Sequence, residues 1–205
     1  LMPELKLNWA KLDLALYCQS HGVHPWTDIV SVIGAFCRNA LESSIAQTAG
    51  VLGAWSFTGG STASVWSTDI EGLCTRKRNL WANCATTRAL ERNVGNPVFL
   101  LGYASAGPAT EMALLETATY TVAYTAAGGE LIWGGSTCNG VDLNRYAGLQ
   151  GRMVGEAAQA AARLSADEAN DVINRLFAHY EEDLSSAPKG QTFAECYDLE
   201  TVQPT

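Results

Sequence analysis

Four stretches carry side chains able to move protons or hold a small polar ligand. They are Asp28 with the turn to Gly34, Thr68-Asp69-Ile70-Glu71, Tyr103-Ala104-Ser105-Ala106-Gly107 and Ser136-Thr137-Cys138-Asn139. A carboxylate such as Asp28 or Asp69 can take or give a proton, and a phenol such as Tyr103 can steady a developing charge by hydrogen bond. Ligands of parallel α/β folds bind beyond the carboxyl ends of the strands, and each stretch is assigned to such an end. The competing reading of Asp69 and Ser136 is that they cap the helices that follow. Tyr103, before a turn of small residues, has no capping role to play.

Other groupings point less far. Cys37, Cys138 and His24 lack the spacing of a metal set, so no metal site is expected. Three scattered histidines offer no nucleophile–base–acid order. Gly59-Gly60 and Gly134-Gly135 match no phosphate-binding fingerprint. Arg76-Lys77-Arg78 reads as a solvated helix face, with contact to an acidic partner as the alternative.

The elements that must position these groups alternate in period. Helical spacing over Glu4 to Ser20 (Leu5, Trp9, Leu12, Leu16) gives way to a β-rich run at Asp28 to Ile33. Asn39 to Ala54 is helical through Leu41, Ile45, Thr48, Ala49 and Leu52, and Ala63 to Asp69 is a short strand. A helix from Cys74 to Arg92 stops before Asn96-Pro97, since proline lacks an N–H and disfavours helix at the preceding residue. Val98 to Leu101 is a continuous apolar strand of the kind buried on both faces of a parallel sheet. Thr110 to Ala126 is helical, and Glu130 to Trp133 is a fourth strand running into Gly134-Gly135. Ala147 to Leu164 is an alanine-rich helix, and Ser165-Ala166-Asp167-Glu168 is a capping box that opens another. That helix carries Ala169, Val172, Ile173, Leu176, Phe177 and Tyr180 on one face, and beyond Ser185 the chain reads as loop.

Four strand–helix units are half of an eight-stranded barrel, which typically needs about 250 residues. The alternatives are a small doubly wound sheet or a piece of a longer protein. A half barrel would expose two sheet edges and the chain ends are abrupt, which favours the second.

Composition narrows the functional classes. With 47% hydrophobic and 17% charged residues among 205, the chain is globular rather than disordered. Thirteen Lys+Arg against twenty-one Asp+Glu give a net charge of −8, which argues against a nucleic-acid partner. No apolar run approaches the roughly 20 residues of a membrane span. The start lacks the pattern of a signal peptide and the six cysteines form no tight framework, so a cytoplasmic protein with reduced thiols is expected.

Three strings go further. Ser186-Ala187-Pro188-Lys189-Gly190-Gln191-Thr192-Phe193-Ala194-Glu195-Cys196-Tyr197-Asp198, with Thr201 to Thr205 after it, closely resembles a segment of the monomethylamine methyltransferase family. So do Ala106-Gly107-Pro108-Ala109-Thr110-Glu111-Met112-Ala113-Leu114-Leu115-Glu116 and Gly151-Arg152-Met153-Val154-Gly155-Glu156. The resemblance covers the whole chain but only the later half of the family's length. It implies a (β/α)8 TIM barrel, of which residues 1–205 are the C-terminal part, carrying four parallel strand–helix units and extra C-terminal helices. It implies methyl transfer from a methylamine, most of all monomethylamine, to the cobalt of a separate corrinoid protein in methanogenesis.

In that family a pyrrolysine ring binds the amine; its position falls upstream of Leu1, as does one pocket glutamate. A second pocket glutamate falls at Asp28, one carbon shorter, and a pocket tyrosine at Tyr103. These two are the expected catalytic residues. A pocket glutamine falls at Leu101, which cannot hydrogen bond. Leu101, Ser105, Asp69 and Ser136 are the expected substrate-binding residues. No cofactor is expected on this segment itself, and a homo-oligomer is expected. The alternatives are a pyrrolysine-free relative acting on another methylated compound, and a half barrel that only binds a corrinoid protein.

Overall fold

The computed structural model describes residues 8–59 and 62–205. The expected helix start at Glu4, with Leu5, and the second glycine of Gly59-Gly60 lie outside the described residues. Helix α1 (Trp9–Ser20) begins behind Asn8, whose side chain accepts the Lys11 N–H. Four units follow: β1 (Thr27–Ile33) and α2 (Ala40–Thr58), β2 (Ala63–Asp69) and α3 (Lys77–Asn93), β3 (Val98–Tyr103) and α4 (Glu111–Ala126), then β4 (Leu131–Ser136) and α5 (Gly148–Ala161). All pairings are parallel and the spatial order is β1-β2-β3-β4, the sequential arc of half a (β/α)8 ring. The expected fold class is therefore the observed one.

Side chains alternate across each strand, so the arc has a helix-covered face and a concave face. On the helix side Ile29, Val65 and Leu100 pack with Val51, Trp55, Leu80, Leu90, Tyr120 and Tyr124. Gly50 lets α2 lie close to β1, since a Cβ there would stand 2.8 Å from Ile29 Cγ2. The helix α6 (Ala166–Phe177) packs over α4, opened by the expected Ser165–Glu168 capping box. Trp26, Phe99, Trp133, Trp66 and Tyr103 line the concave face, joined by ring contacts of 4.9 to 5.2 Å.

Helix α2 turns the opposite way to the expected one. Leu41, Ile45 and Leu52 face outward, 58%, 58% and 41% exposed, while Ser43, Gln47, Val51, Ala54 and Trp55 face the sheet. The reason is a buried hydrogen-bonded seam. Ser31 of β1 meets Ser43 at 2.6 Å and accepts from Gln47 at 2.9 Å. Gln47 also donates to Asn83 of α3 (2.9 Å) and accepts from Thr86 (2.8 Å). Asn83 donates to Tyr124 of α4 (2.8 Å), and Tyr124 donates to the Leu101 carbonyl of β3 (3.1 Å). Buried polar groups cost little once satisfied, so this polar face can be the inner one. On α1, similarly, Leu12 is buried but Trp9 and Leu16 are exposed.

A 3-10 turn follows at Glu181–Ser186, and the chain beyond Ser185, expected as loop, carries the one-turn helix α7 (Phe193–Cys196). Between them the chain crosses the β3–α4 turn backbone to backbone: Gly107 N–H donates to the Pro188 carbonyl (2.7 Å) and Gln191 N–H to the Pro108 carbonyl (2.9 Å).

Candidate functional site

Tyr103 ends β3 on the concave face, and the local sequence explains its pose. Its neighbour Gly102 points to the helix side, where a Cβ would stand 2.4 Å from the Tyr120 ring. Tyr120 fills that space and accepts the Gly135 N–H at 2.7 Å, next to the irregularity that brings Ser136 level with Tyr103. The Tyr103 ring leans on Trp66, centroids 5.2 Å apart at 52°, and on Gly140, where a Cβ would stand 3.0 Å away. Burial, and then the charge of Asp28, pushes the Tyr103 phenol above its ordinary value of 10.0.

Asp28 is not at a carboxyl end. It is the second residue of β1, level with Ser64 of β2, which is level in turn with Phe99 of β3. The two expected catalytic residues thus stand at opposite ends of their strands rather than together at the mouth. They share the concave face nonetheless. Asp28 is solvent-exposed and accepts the Ser64 hydroxyl, which accepts the Trp26 Nε1–H at 2.8 Å. The strand-end assignment failed for Asp28 because the strand begins at Thr27, so the apolar residues Ile29 to Ile33 follow the carboxylate instead of preceding it.

Of the other expected contacts, Leu101 is on the concave face, 3% exposed and level with Trp133. Asp69 turns to the helix side. Its buried carboxylate accepts the N–H groups of Glu71 and Leu73 (both 3.0 Å) and pairs with Arg76 (3.0 Å) and Arg78 (2.9 Å). It anchors the β2–α3 turn and does not cap α3, whose N-cap is Arg76, so the capping alternative is not what is seen either. The basic triplet is paired within the chain while Lys77 and Arg78 stay exposed: Arg76 also meets Glu71 (2.6 Å), and Lys77 lies over the Phe177 ring (4.9 Å). Ser136 borders a 410 Å³ hollow at the end of β4 with Arg145, Tyr146 and Phe193. Ser105 donates to Asn139 Oδ1 at 3.4 Å, and the β4–α5 turn docks beside it through Asn139 N–H to the Ala104 carbonyl (2.9 Å).

Three residues outside the expected set belong here. Ser64 and Trp66 alternate with Thr68 along β2, a period-2 pattern that places them on one face with Asp28. Glu116, fully buried on α4, accepts the Thr75 hydroxyl and the N–H groups of Ser105 (2.8 Å) and Ala106 (2.9 Å). Burial pushes its carboxyl above 4.5 while those donors pull it back. It fixes the turn that follows Tyr103. Among the described residues no group of three or more His, Cys, Asp or Glu could hold a metal ion.

Two features of this geometry stand out for chemistry. The concave face carries a carboxylate, a serine hydroxyl and a phenol among indole rings, an environment suited to a small cation. The loops beyond the strand ends also expose Phe36, Ile70, Val141 and Leu143, the last at 88%.

Comparison with known proteins is consistent with this. The family model described as monomethylamine methyltransferase MtmB matches residues 1–205. The monomethylamine methyltransferase MtmB2 of Methanosarcina acetivorans is 31% identical over 98% of this chain and 45% of its own length. Its counterpart MtmB2 in Methanosarcina barkeri is 44% identical over half of this chain. The crystal structure of the Methanosarcina barkeri monomethylamine methyltransferase superposes with a TM-score of 0.91 at 28% identity, over 98% of this chain and 44% of that one. A hydroxylamine complex of MtmB matches equally well. The chain thus spans less than half the length of the relatives that match it throughout. With the fold, the family model and the relatives in agreement over essentially every residue, this chain belongs to the monomethylamine methyltransferase family.

Proposed function

We propose that residues 1–205 are the C-terminal part of a single (β/α)8 catalytic domain that transfers the methyl group of monomethylamine to a corrinoid protein during methanogenesis. In this reading the whole protein is a cytoplasmic homo-oligomer. The observation that carries the proposal is the shared concave face of Asp28, Ser64, Trp66 and Tyr103 within a family match over the whole chain. The corrinoid, held by its own carrier protein, supplies the cobalt that accepts the methyl group, and the pyrrolysine expected upstream of Leu1 supplies the ring that holds the amine. The exposed apolar side chains at the strand ends suit a docked carrier protein.

The work of this chain is electrostatic and positional. Amines are poor leaving groups, so the nitrogen must be cationic when the C–N bond breaks; it keeps the bonding pair and departs as a neutral amine. The Asp28 carboxylate, steadied by Ser64, favours positive charge on the concave face. The Tyr103 hydroxyl, held between Trp66 and Gly140, can hydrogen-bond the departing nitrogen. Leu101 favours a second reading, a pyrrolysine-free relative acting on another methylated compound, because an apolar side chain stands where the family's glutamine is expected.

The test uses the full-length protein. Asp28→Asn and Tyr103→Phe are each expected to lower methylamine-dependent methylation of the corrinoid protein more than tenfold with the circular dichroism spectrum unchanged. Undiminished turnover in both would leave only a corrinoid-binding role. An in-frame amber codon upstream of Leu1 separates the pyrrolysine enzyme from the pyrrolysine-free relative.

A further inference from the structure

We propose that Trp66 is a further substrate-contact residue, whose indole face, set against Tyr103 and near Asp28, makes the site select the cationic form of a methylated amine. This rests on the function proposed above and adds to it the charge state recognised and the residue that reads it.

The placement comes from the strand. Ser64, Trp66 and Thr68 alternate along β2 onto the concave face, so Trp66 stands one pleat beyond the serine that donates to Asp28. Its ring is half-buried and angled at 52° to Tyr103, which leaves aromatic surface turned to the concave side. A cation within about 6 Å of such a face is attracted by the ring quadrupole, most strongly for indole. The Asp28 carboxylate on the adjacent strand adds charge of the right sign.

The polar edge of Trp66 differs from that of Trp26. Buried indole N–H groups normally find a partner. Trp26 does, donating to Ser64 at 2.8 Å, whereas the buried Nε1 of Trp66 has no partner among the described residues. That N–H is buried and, like an ammonium, only donates, so it is the ring face and not the polar edge that can meet a cation. Methylamine is protonated at neutral pH, so its ammonium is the form this arrangement meets. No bond is made or broken at Trp66.

The experiment compares two probes of nearly equal size on the full-length protein at pH 7. They are methylammonium, a cation, and hydroxylamine, which is largely uncharged there. Trp66→Leu is expected to weaken methylammonium binding by about 30-fold, the equivalent of a desolvated cation–π contact. Trp66→Phe, which keeps a weaker aromatic face, is expected to weaken it by roughly 5-fold. Hydroxylamine affinity is expected to shift less than about 3-fold in both, since a neutral ligand gains little from the ring quadrupole. Equal losses for the two probes would reduce Trp66 to packing, and unchanged methylammonium binding would likewise overturn the inference. If the leucine variant does not fold, the phenylalanine variant decides by the same selectivity. Active wild-type protein with an indifferent Trp66 sinks this inference alone; wild-type protein that does not take methylammonium sinks the functional reading as well.

Discussion

The Asp69 carboxylate has two backbone donors and two guanidinium partners, all within 3.0 Å, while its own side chain is wholly buried. Such a group cannot also serve a substrate without giving up what holds the β2–α3 turn. Replacing it by asparagine keeps the shape but removes the charge that two arginines and two N–H groups share. Asp69→Asn is expected to cost about 2 kcal/mol of stability, discounted for the partly exposed arginines. A shift in the urea midpoint at constant slope measures it. The sequence shows that Asp69 stands at a strand end, but not to which face it turns, because a two-way alternation is ambiguous until the neighbouring helix is placed. The place of Tyr103 at a strand end was legible because an apolar run precedes it and a turn of small residues follows. Glu116 was hidden inside an apolar helix pattern, its role visible only when the Ser105 and Ala106 amides come to rest on it.

At the level of elements, two of the strings that carry the family resemblance meet. The crossing of residues 188–191 over the β3–α4 turn works because neither side has a Cβ. One added at Gly107 would lie 1.7 Å from the Lys189 carbonyl oxygen, and one at Gly190 would lie 2.1 Å from that of Pro108. Arg145 reinforces the crossing by donating to the carbonyls of Lys189 (2.7 Å) and Gly190 (2.6 Å). Gly107→Ala is expected to lift this segment, cost about 3 kcal/mol, and speed amide hydrogen exchange across residues 186–198 with β1 and β2 unaffected. Exchange unchanged from the parent would show that the crossing tolerates a methyl group. The strand–helix order, the breaker before Pro97 and the Ser165 cap could all be read from periodicity and turn chemistry. The buried face of α2 could not. Apolar spacing points outward there because serine, glutamine and asparagine satisfy one another inside, which no hydrophobic pattern can register.

Across the molecule, ionisable groups packed between sheet and helices set an alkaline limit. Burial pushes Cys74 and Cys84 from 9.0 up to about 12 and Tyr120 from 10.0 up to about 12, while Tyr124 and Tyr180 are also raised. Each is neutral with its proton on, and each binds that proton more tightly folded than unfolded. The stability this contributes is complete below about pH 9 and is lost as pH climbs toward 12, at about 1.4 kcal/mol per unit for each group once it ionises in the unfolded chain. Thermal midpoints should accordingly stay level through neutrality and fall steeply above pH 9. A flat profile to pH 11 would mean these thiols and phenols titrate as they do in the unfolded chain. The seam that runs from Ser31 through Gln47, Asn83 and Tyr124 to the Leu101 carbonyl has a different kind of consequence. Oily surfaces can slide past one another with little penalty, but directional bonds act like the teeth of a key. A slip of α2 by a single residue would misalign several of them together, so this side of the arc tolerates parting as a unit far better than drifting out of step.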